Sequence, residues 1–208
     1  MDLTGGVAAR IASLCLGPHG GLSRLLLCGT AVRGGLLLDL GLAGRVESAE
    51  DSVVIDPTPT GFGPADRLLA AIAVEPERSL DDWLDERRIG LKDVAAANEA
   101  SGRWAGRPGP LGLGWRYTDL RPETARDRAL RPEDDVSALS PADACVAAVA
   151  ATAGLLDPAV WPPDQRPDEL LAVTGTVAWL ARAVVDHILV TGARYRSQAD
   201  ALGAAGPF

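Results

Sequence analysis

Apolar residues recur along this chain mostly at the spacing of helix faces. Val7, Ala8, Ile11, Leu14 and Cys15 make one such face before Gly17, Pro18, Gly20 and Gly21 break the chain. From Leu22 to Leu42 the sequence is apolar nearly all round a helical wheel, which predicts a helix buried inside the protein. Gly29, Gly34 and Gly35 within it allow close approach of neighbouring helices, and Gly44 supplies a stop. Between Arg45 and Asp56 two β-prone stretches flank the polar turn Ser48 to Ser52, predicting a hairpin. Pro64 to Val74 reads as a short amphipathic helix. Ser79 with Asp82 predicts an N-cap for a helix over Leu80 to Arg88 that turns Trp83 and Leu84 inward.

Leu91 to Trp104 is helix-compatible. The stretch Gly106 to Gly114, with Pro108 and Pro110, predicts a loop or short hairpin. Thr124 to Leu130 reads as a charged helix, and the run Arg121 to Arg131 as a solvated face. Ser140 followed by Pro141 marks the start of an apolar helix reaching Leu156. A proline-rich connection, Asp157 to Asp168, precedes a last long helix over Glu169 to Val190, with a frayed tail. The expected fold is mainly α: a single compact helical domain over residues 1–208, built around a central apolar helix with small β-hairpins.

Composition supports helices over sheets. Hydrophobic residues make up 47% and aromatics only 4%, so Ala, Leu and Val must fill the core. Lys92 is the only lysine, and the arginine, alanine, glycine and proline load fits a GC-rich genome. The net charge of −8 repels polyanions on average, which argues against nucleic acid and general lipid binding but leaves room for one local basic pocket. Cys15, Cys28 and Cys145 are odd in number, show no CxxC spacing and follow no signal peptide, as expected of a reduced cytoplasmic protein in which cysteine serves as a small hydrophobe. The longest apolar candidate for a membrane span, Leu170 to Val190, is interrupted by Arg182, Asp186 and His187.

The search for chemistry returns little. His19 and His187 belong to no metal spacing, and His187 reads as a helix-face histidine satisfied by a backbone or carboxylate partner. Gly17 to Gly21 lacks the lysine and context of a phosphate loop. In Asp56-Pro-Thr-Pro-Thr-Gly61 the prolines stiffen the chain and the hydroxyls of Thr58 and Thr60 can cap the turn or the next helix. No metal set, cofactor loop or paired acid and base is visible, so neither a catalytic residue nor a cofactor is expected. Arg33 and Asp39 are charges inside the apolar helix, and each must reach a partner or the surface. Ion-paired or solvated arginines and an anion pocket around Arg24 and Arg33 remain alternatives.

The order of these features carries a resemblance. A glycine turn, a buried helix with Arg33-Gly34, Leu42-Ala-Gly-Arg-Val-Glu47, a hairpin, Asp56-Pro-Thr-Pro-Thr-Gly61, a short helix and Ser79-Leu-Asp-Asp-Trp-Leu84 occur in succession. This order resembles the Golgi phosphoprotein 3 family, and the chain is expected to be a bacterial member. The resemblance implies a mostly helical domain without catalytic activity. It also implies a peripheral membrane adaptor whose eukaryotic relatives bind phosphatidylinositol 4-phosphate and hold cytoplasmic protein tails. Arg33 then matches the headgroup-binding arginine, and Arg24 stands nine residues earlier, where those relatives carry tryptophan. Two further basic positions fall at Asn98 and Ser101, the next arginine being Arg103. The membrane-inserting hairpin corresponds to Pro108 to Trp115, with Leu111, Leu113 and Trp115 as contacts. The alternatives are a cytoplasmic scaffold that binds proteins without phosphoinositide, and a winged-helix DNA regulator using the 45–56 hairpin as its wing.

Overall fold

A computed structural model of the chain describes residues 3–23, 26–49, 52–110, 114–121, 123–131, 135–162 and 167–201. At its centre lies a helix, Leu26–Leu42. It is called α2 because Val7–Leu14 precedes it as α1. Cys28, Ala31, Val32, Leu36, Leu37, Leu38 and Leu40 are all buried along it, and a buried leucine is worth about 1.5–3 kcal/mol relative to an exposed one. The helix begins later than the apolar run does. Leu22 instead bridges to Leu16, closing a turn in which Gly17 N–H donates to Gly21 at 2.9 Å and Gly20 takes φ +74°. Its end follows expectation: Gly44 has φ +66°, and Arg45 N–H donates back to Leu40 O at 2.8 Å, the Schellman pattern.

Around α2 pack α1 and α3 (Gly63–Val74), together with α7 (Pro141–Thr152) and α9 (Ala178–Ala201). The glycine-to-packing expectation holds where two backbones nearly touch. A Cβ on Gly35 would stand 2.8 Å from Ala8 Cα of α1, and one on Gly34 would overlap Val184 of α9. Asp39, fully buried, finds its partner at the start of α1. Its carboxylate accepts Val7 N–H at 2.7 Å and Ala8 N–H at 3.0 Å, satisfying two donors that a helix start leaves open. Burial pushes this carboxyl up to about 7 despite those bonds.

Two antiparallel hairpins complete the frame. Strands β1 (Val46–Ala49) and β2 (Ser52–Ile55) pair Val46 with Ile55 and Ala49 with Ser52. Strands β3 (Trp104–Pro108) and β4 (Trp115–Asp119) pair Trp104 with Asp119 and Pro108 with Trp115. Between the hairpins, α4 (Leu80–Asp85) is capped by Ser79, whose hydroxyl accepts Asp82 N–H at 3.2 Å, with Trp83 and Leu84 buried. Helix α4 stops three residues before the expected Arg88. Helix α5 (Leu91–Ala100) ends before Trp104 because Gly102 at φ +71° turns the chain into β3.

The remaining helices depart from expectation in several places: α7 ends at Thr152 rather than Leu156, with Gly154 at φ +68° just beyond, and α9 runs on past Val190 to Ala201. The last helical segment is split: Gly175, at φ +66°, separates α8 (Asp168–Ala172) from α9. The segment Gly175–Gln198 is long and apolar enough to cross a bilayer by length and composition alone. Half of that apolar stretch is buried against α2, α7 and their neighbours, as in a core helix. Helix α6 (Glu123–Ala129) corrects the expectation of a solvated face. Arg121, Thr124 and Asp127 are buried, because α6 packs on α1 and α7 and Asp127 receives Arg10 of α1. The Asp56–Gly61 segment is architecture, as expected. Thr58 Oγ donates to Asp56 at 2.6 Å, and Thr60 Oγ to Asp66 of α3 at 2.7 Å.

Candidate functional site

The early end of α4 shapes the main surface feature. Residues 86–90 leave the helix and bend round to Gly90, where Asp93 accepts the Gly90 N–H at 2.9 Å and caps α5. On the other side, the Gly17–Gly21 turn is fastened to β4 by a hydrogen bond from Tyr117 N–H to Gly20 O at 2.7 Å. Between these walls and the first half of α2 opens a cleft of about 1380 Å³.

Arg33 forms its floor. The residue is 8% exposed, and its guanidinium donates through Nε to Leu84 O at 2.6 Å and through one Nη to Thr30 Oγ at 3.3 Å. Its other terminal nitrogen lies between two glycines, 3.4 and 3.5 Å from where Cβ atoms on Gly29 and Gly90 would stand. A Cβ at either position would make ordinary van der Waals contact with that nitrogen. Burial lowers the Arg33 pKa from its ordinary value. Asp85 and Glu86 oppose that shift, while Arg87 adds to it. An arginine remains charged under such a shift.

Arg87, Arg88, Lys92 and Arg116 line the same cleft. Among the described residues Arg33, Arg87, Lys92 and Arg116 make no ion pair. Arg116 spends one donor on His19 O at 3.3 Å, and Arg88 meets Glu86 at 3.6 Å. The acid in the lining, Asp93, is held by Arg67 at 2.6 Å and by Gly90 N–H. Trp115 stands at the rim, 46% exposed. Within a chain of net charge −8, four cations without an ion pair among the described residues thus share one concavity. Such a concavity focuses positive potential on whatever enters it. No group of His, Cys, Asp and Glu among the described residues could hold a metal ion.

Over residues 18–189 the sequence matches the family described as Golgi phosphoprotein 3 (GPP34). The chain belongs to the Golgi phosphoprotein 3 family. No curated protein matches it.

The residues that the family resemblance singles out fall in different places. Arg33 is in the cleft, and Trp115 is at its rim. Arg24, Leu111 and Leu113 lie outside the described residues. Arg103 is not part of the cleft lining. Its guanidinium lies beside the N-terminal segment, where it would meet a Cβ on Gly5 at 3.2 Å. Asn98 is fully buried with its amide unbonded, and Ser101 Oγ donates to Asn98 O at 3.1 Å, so neither position lines the cleft. Sequence reading missed Arg87, Arg88, Lys92 and Arg116. The first two were hidden inside an over-long helix, and the other two carried no local signal.

His187 is held as expected of a satisfied helix histidine, with Asp81 at 2.8 Å from Nδ1 and Asp85 at 3.2 Å from Nε2. This contact ties α9 to α4, and α4 in turn offers Leu84 O to Arg33.

Proposed function

We propose that this protein is a non-enzymatic peripheral membrane adaptor that holds an anionic phospholipid headgroup, of the phosphatidylinositol 4-phosphate class, in the cleft above Arg33. The observation that carries this reading is the convergence of Arg33, Arg87, Lys92 and Arg116, none ion-paired among the described residues, in an otherwise acidic protein. Arginine's planar fork suits phosphate oxygens, and Lys92 adds a point charge at the first turn of α5. Exposed Trp115 at the rim fits a ring seated at headgroup depth. The working location is the cytoplasmic face of the membrane.

Flotation with neutral vesicles, and with vesicles carrying phosphatidylinositol 4-phosphate, tests the reading. Each basic side chain near an anionic surface is worth about 1 kcal/mol. The triple variant Arg87→Ala, Lys92→Ala, Arg116→Ala should therefore bind roughly 100-fold more weakly. Binding should also fall as salt is raised. Equal flotation of wild type and triple variant would remove the cleft from the reading, and no flotation of either would remove the membrane. The second reading, a protein-binding scaffold, draws on Val53 and Val54, about half exposed on β2.

A further inference from the structure

Behind the cleft, one ring is bonded to two carboxylates at once. The side chain of His187 on α9 is 7% exposed, and both its nitrogens face α4. Nδ1 stands 2.8 Å from Asp81 and Nε2 3.2 Å from Asp85. A neutral imidazole has one N–H donor, and its other nitrogen presents a lone pair. Ionised carboxylates only accept. One ring proton therefore satisfies one contact and sets a lone pair against a carboxylate in the other. Two ring protons satisfy both.

Helix α4 has only six residues, a length that packing rather than propensity must hold in place. Trp83 and Leu84 are buried, and the Arg78 guanidinium lies 4.3 Å over the Trp83 ring. At its end Glu86 N–H takes Trp83 O at 3.4 Å, which leaves Leu84 O for Arg33 Nε at 2.6 Å. Leu84 stands between the two acids that His187 grips.

We infer that doubly protonated His187 is a positioning residue for the cleft. By gripping Asp81 and Asp85 together it fixes α4 on α9, and so aims the carbonyl that orients Arg33. What the oriented arginine serves rests on the headgroup reading. The second ring proton leaves a histidine between about pH 5 and 8. Asp85, 63% exposed at its side chain, is then free to turn to water, and the grip is halved.

The charges around the ring are few. Asp81 and Asp85 face it from α4, where Asp82 instead accepts the Ser79 hydroxyl. From α2 comes Arg33, which senses Asp85 together with Glu86, Arg87 and Tyr195. On α9 Asp186 is adjacent, while Ala183, Val184, Val190 and Thr191, one turn away, are uncharged. Helices α7 and α8, also packed on α9, bring acids only at their first turns: Asp143, Asp168 and Glu169.

The test is nuclear magnetic resonance of the nitrogen-15-labelled full-length protein without vesicles, so its result does not depend on headgroup binding. Solvent exchange of Arg33 Nε–H, identified by its loss in Arg33→Lys, is followed from about pH 5 to 8. Dividing by the rate in His187→Gln at each pH cancels the ordinary base-catalysed rise. Glutamine can donate to one carboxylate only. At the acid end wild type should exchange roughly two- to fivefold more slowly than His187→Gln, the scale of one exposed ion pair. At the alkaline end the two should converge. Asp85→Asn separates charge from contact, because its amide N–H can donate to the lone pair of a neutral ring. It should keep the slow exchange across the whole range. Wild type matching His187→Gln at every pH overturns the positioning role. A loss of protection in Asp85→Asn equal to that of wild type overturns the part given to the second proton. Should His187→Gln fail to fold, the ratio of wild type to Asp85→Asn decides: parity at the acid end and faster wild-type exchange at the alkaline end support the inference, and a constant ratio overturns it.

Discussion

Two arginine-rich regions of this protein use the same side chain in opposite ways. Where α1, α6 and α7 meet, Arg10 makes a two-point contact with Asp127, at 3.0 Å through Nε and 2.5 Å through Nη, and reaches Asp143 at 2.8 Å. Arg126 shares Asp143, and Arg121 binds Asp119, Ala9 O and the Ser13 hydroxyl. Above α2, Arg33 is equally buried but is held by a carbonyl and a hydroxyl, with no carboxylate in contact, and the charges nearby are mixed, Asp85 and Glu86 against Arg87. Burial is therefore not what distinguishes an ion-paired arginine from one held by neutral oxygens. The supply of counter-charge is. The first region encloses a cavity of about 150 Å³, and the second opens to about 1380 Å³.

Removing a cation from each region should break the likeness between them. Arg10→Ala leaves Asp127, 4% exposed at its side chain, without its partner, and Asp143 with Arg126 as its remaining cation. It should cost about 3–5 kcal/mol of unfolding free energy, read by urea titration. Asp39 is the mirror case, an acid held by backbone donors with Arg10 contributing only at a distance. Its folded pKa is raised, so its contribution is complete below the unfolded value of 3.8 and is lost as pH rises through about 7. At 1.36 kcal/mol per pH unit that interval is worth on the order of 4 kcal/mol. Asp39→Asn should flatten this limb of a stability–pH curve, and a limb that persists would place its origin elsewhere. Asp143 runs the other way. Burial resists its charge, but Ser140, Arg10 and Arg126 outweigh that and keep its pKa low, so its contribution is lost as pH falls through the lowered value. The smallest effect belongs to the cleft: the Arg87, Lys92, Arg116 triple alanine variant should unfold within about 0.5 kcal/mol of wild type. A larger loss would mean that these cations hold the fold together after all.

Much of the fold was legible because its signals are local. Ser79 and Ser140 cap the helices they were expected to cap, the latter accepting Asp143 N–H at 3.2 Å. The apolar wheel of α2 placed it at the centre, and Gly34 and Gly35 marked close helix contacts. The site was less legible because its residues come from α2, the 86–90 strap, α5 and β4, which only tertiary packing brings together. Net charge hid it too, since an average of −8 says nothing of where the unpaired cations sit. Arg33 stood out already as a charge inside an apolar helix, and the resemblance gave it an expected role. Arg87 and Arg88 became visible only once Glu86 ended α4, with a backbone hydrogen bond from Arg88 to its carboxylate at 3.0 Å.

The step from Arg33 to Gly34 makes two adjacent residues into one mechanical part. Gly34 lets α9 press against the helix backbone, and the next residue, Gly35, does the same for α1. The guanidinium beside them is thereby indexed to both neighbours, like a tooth on a keyed shaft. An anionic headgroup of the proposed kind would meet a donor already aimed, with little rotameric freedom left to surrender on binding. Calorimetry would then register a favourable enthalpy with a small entropic loss. Enlarging either glycine would blunt recognition by unseating the shaft, without touching a single polar group in the cleft.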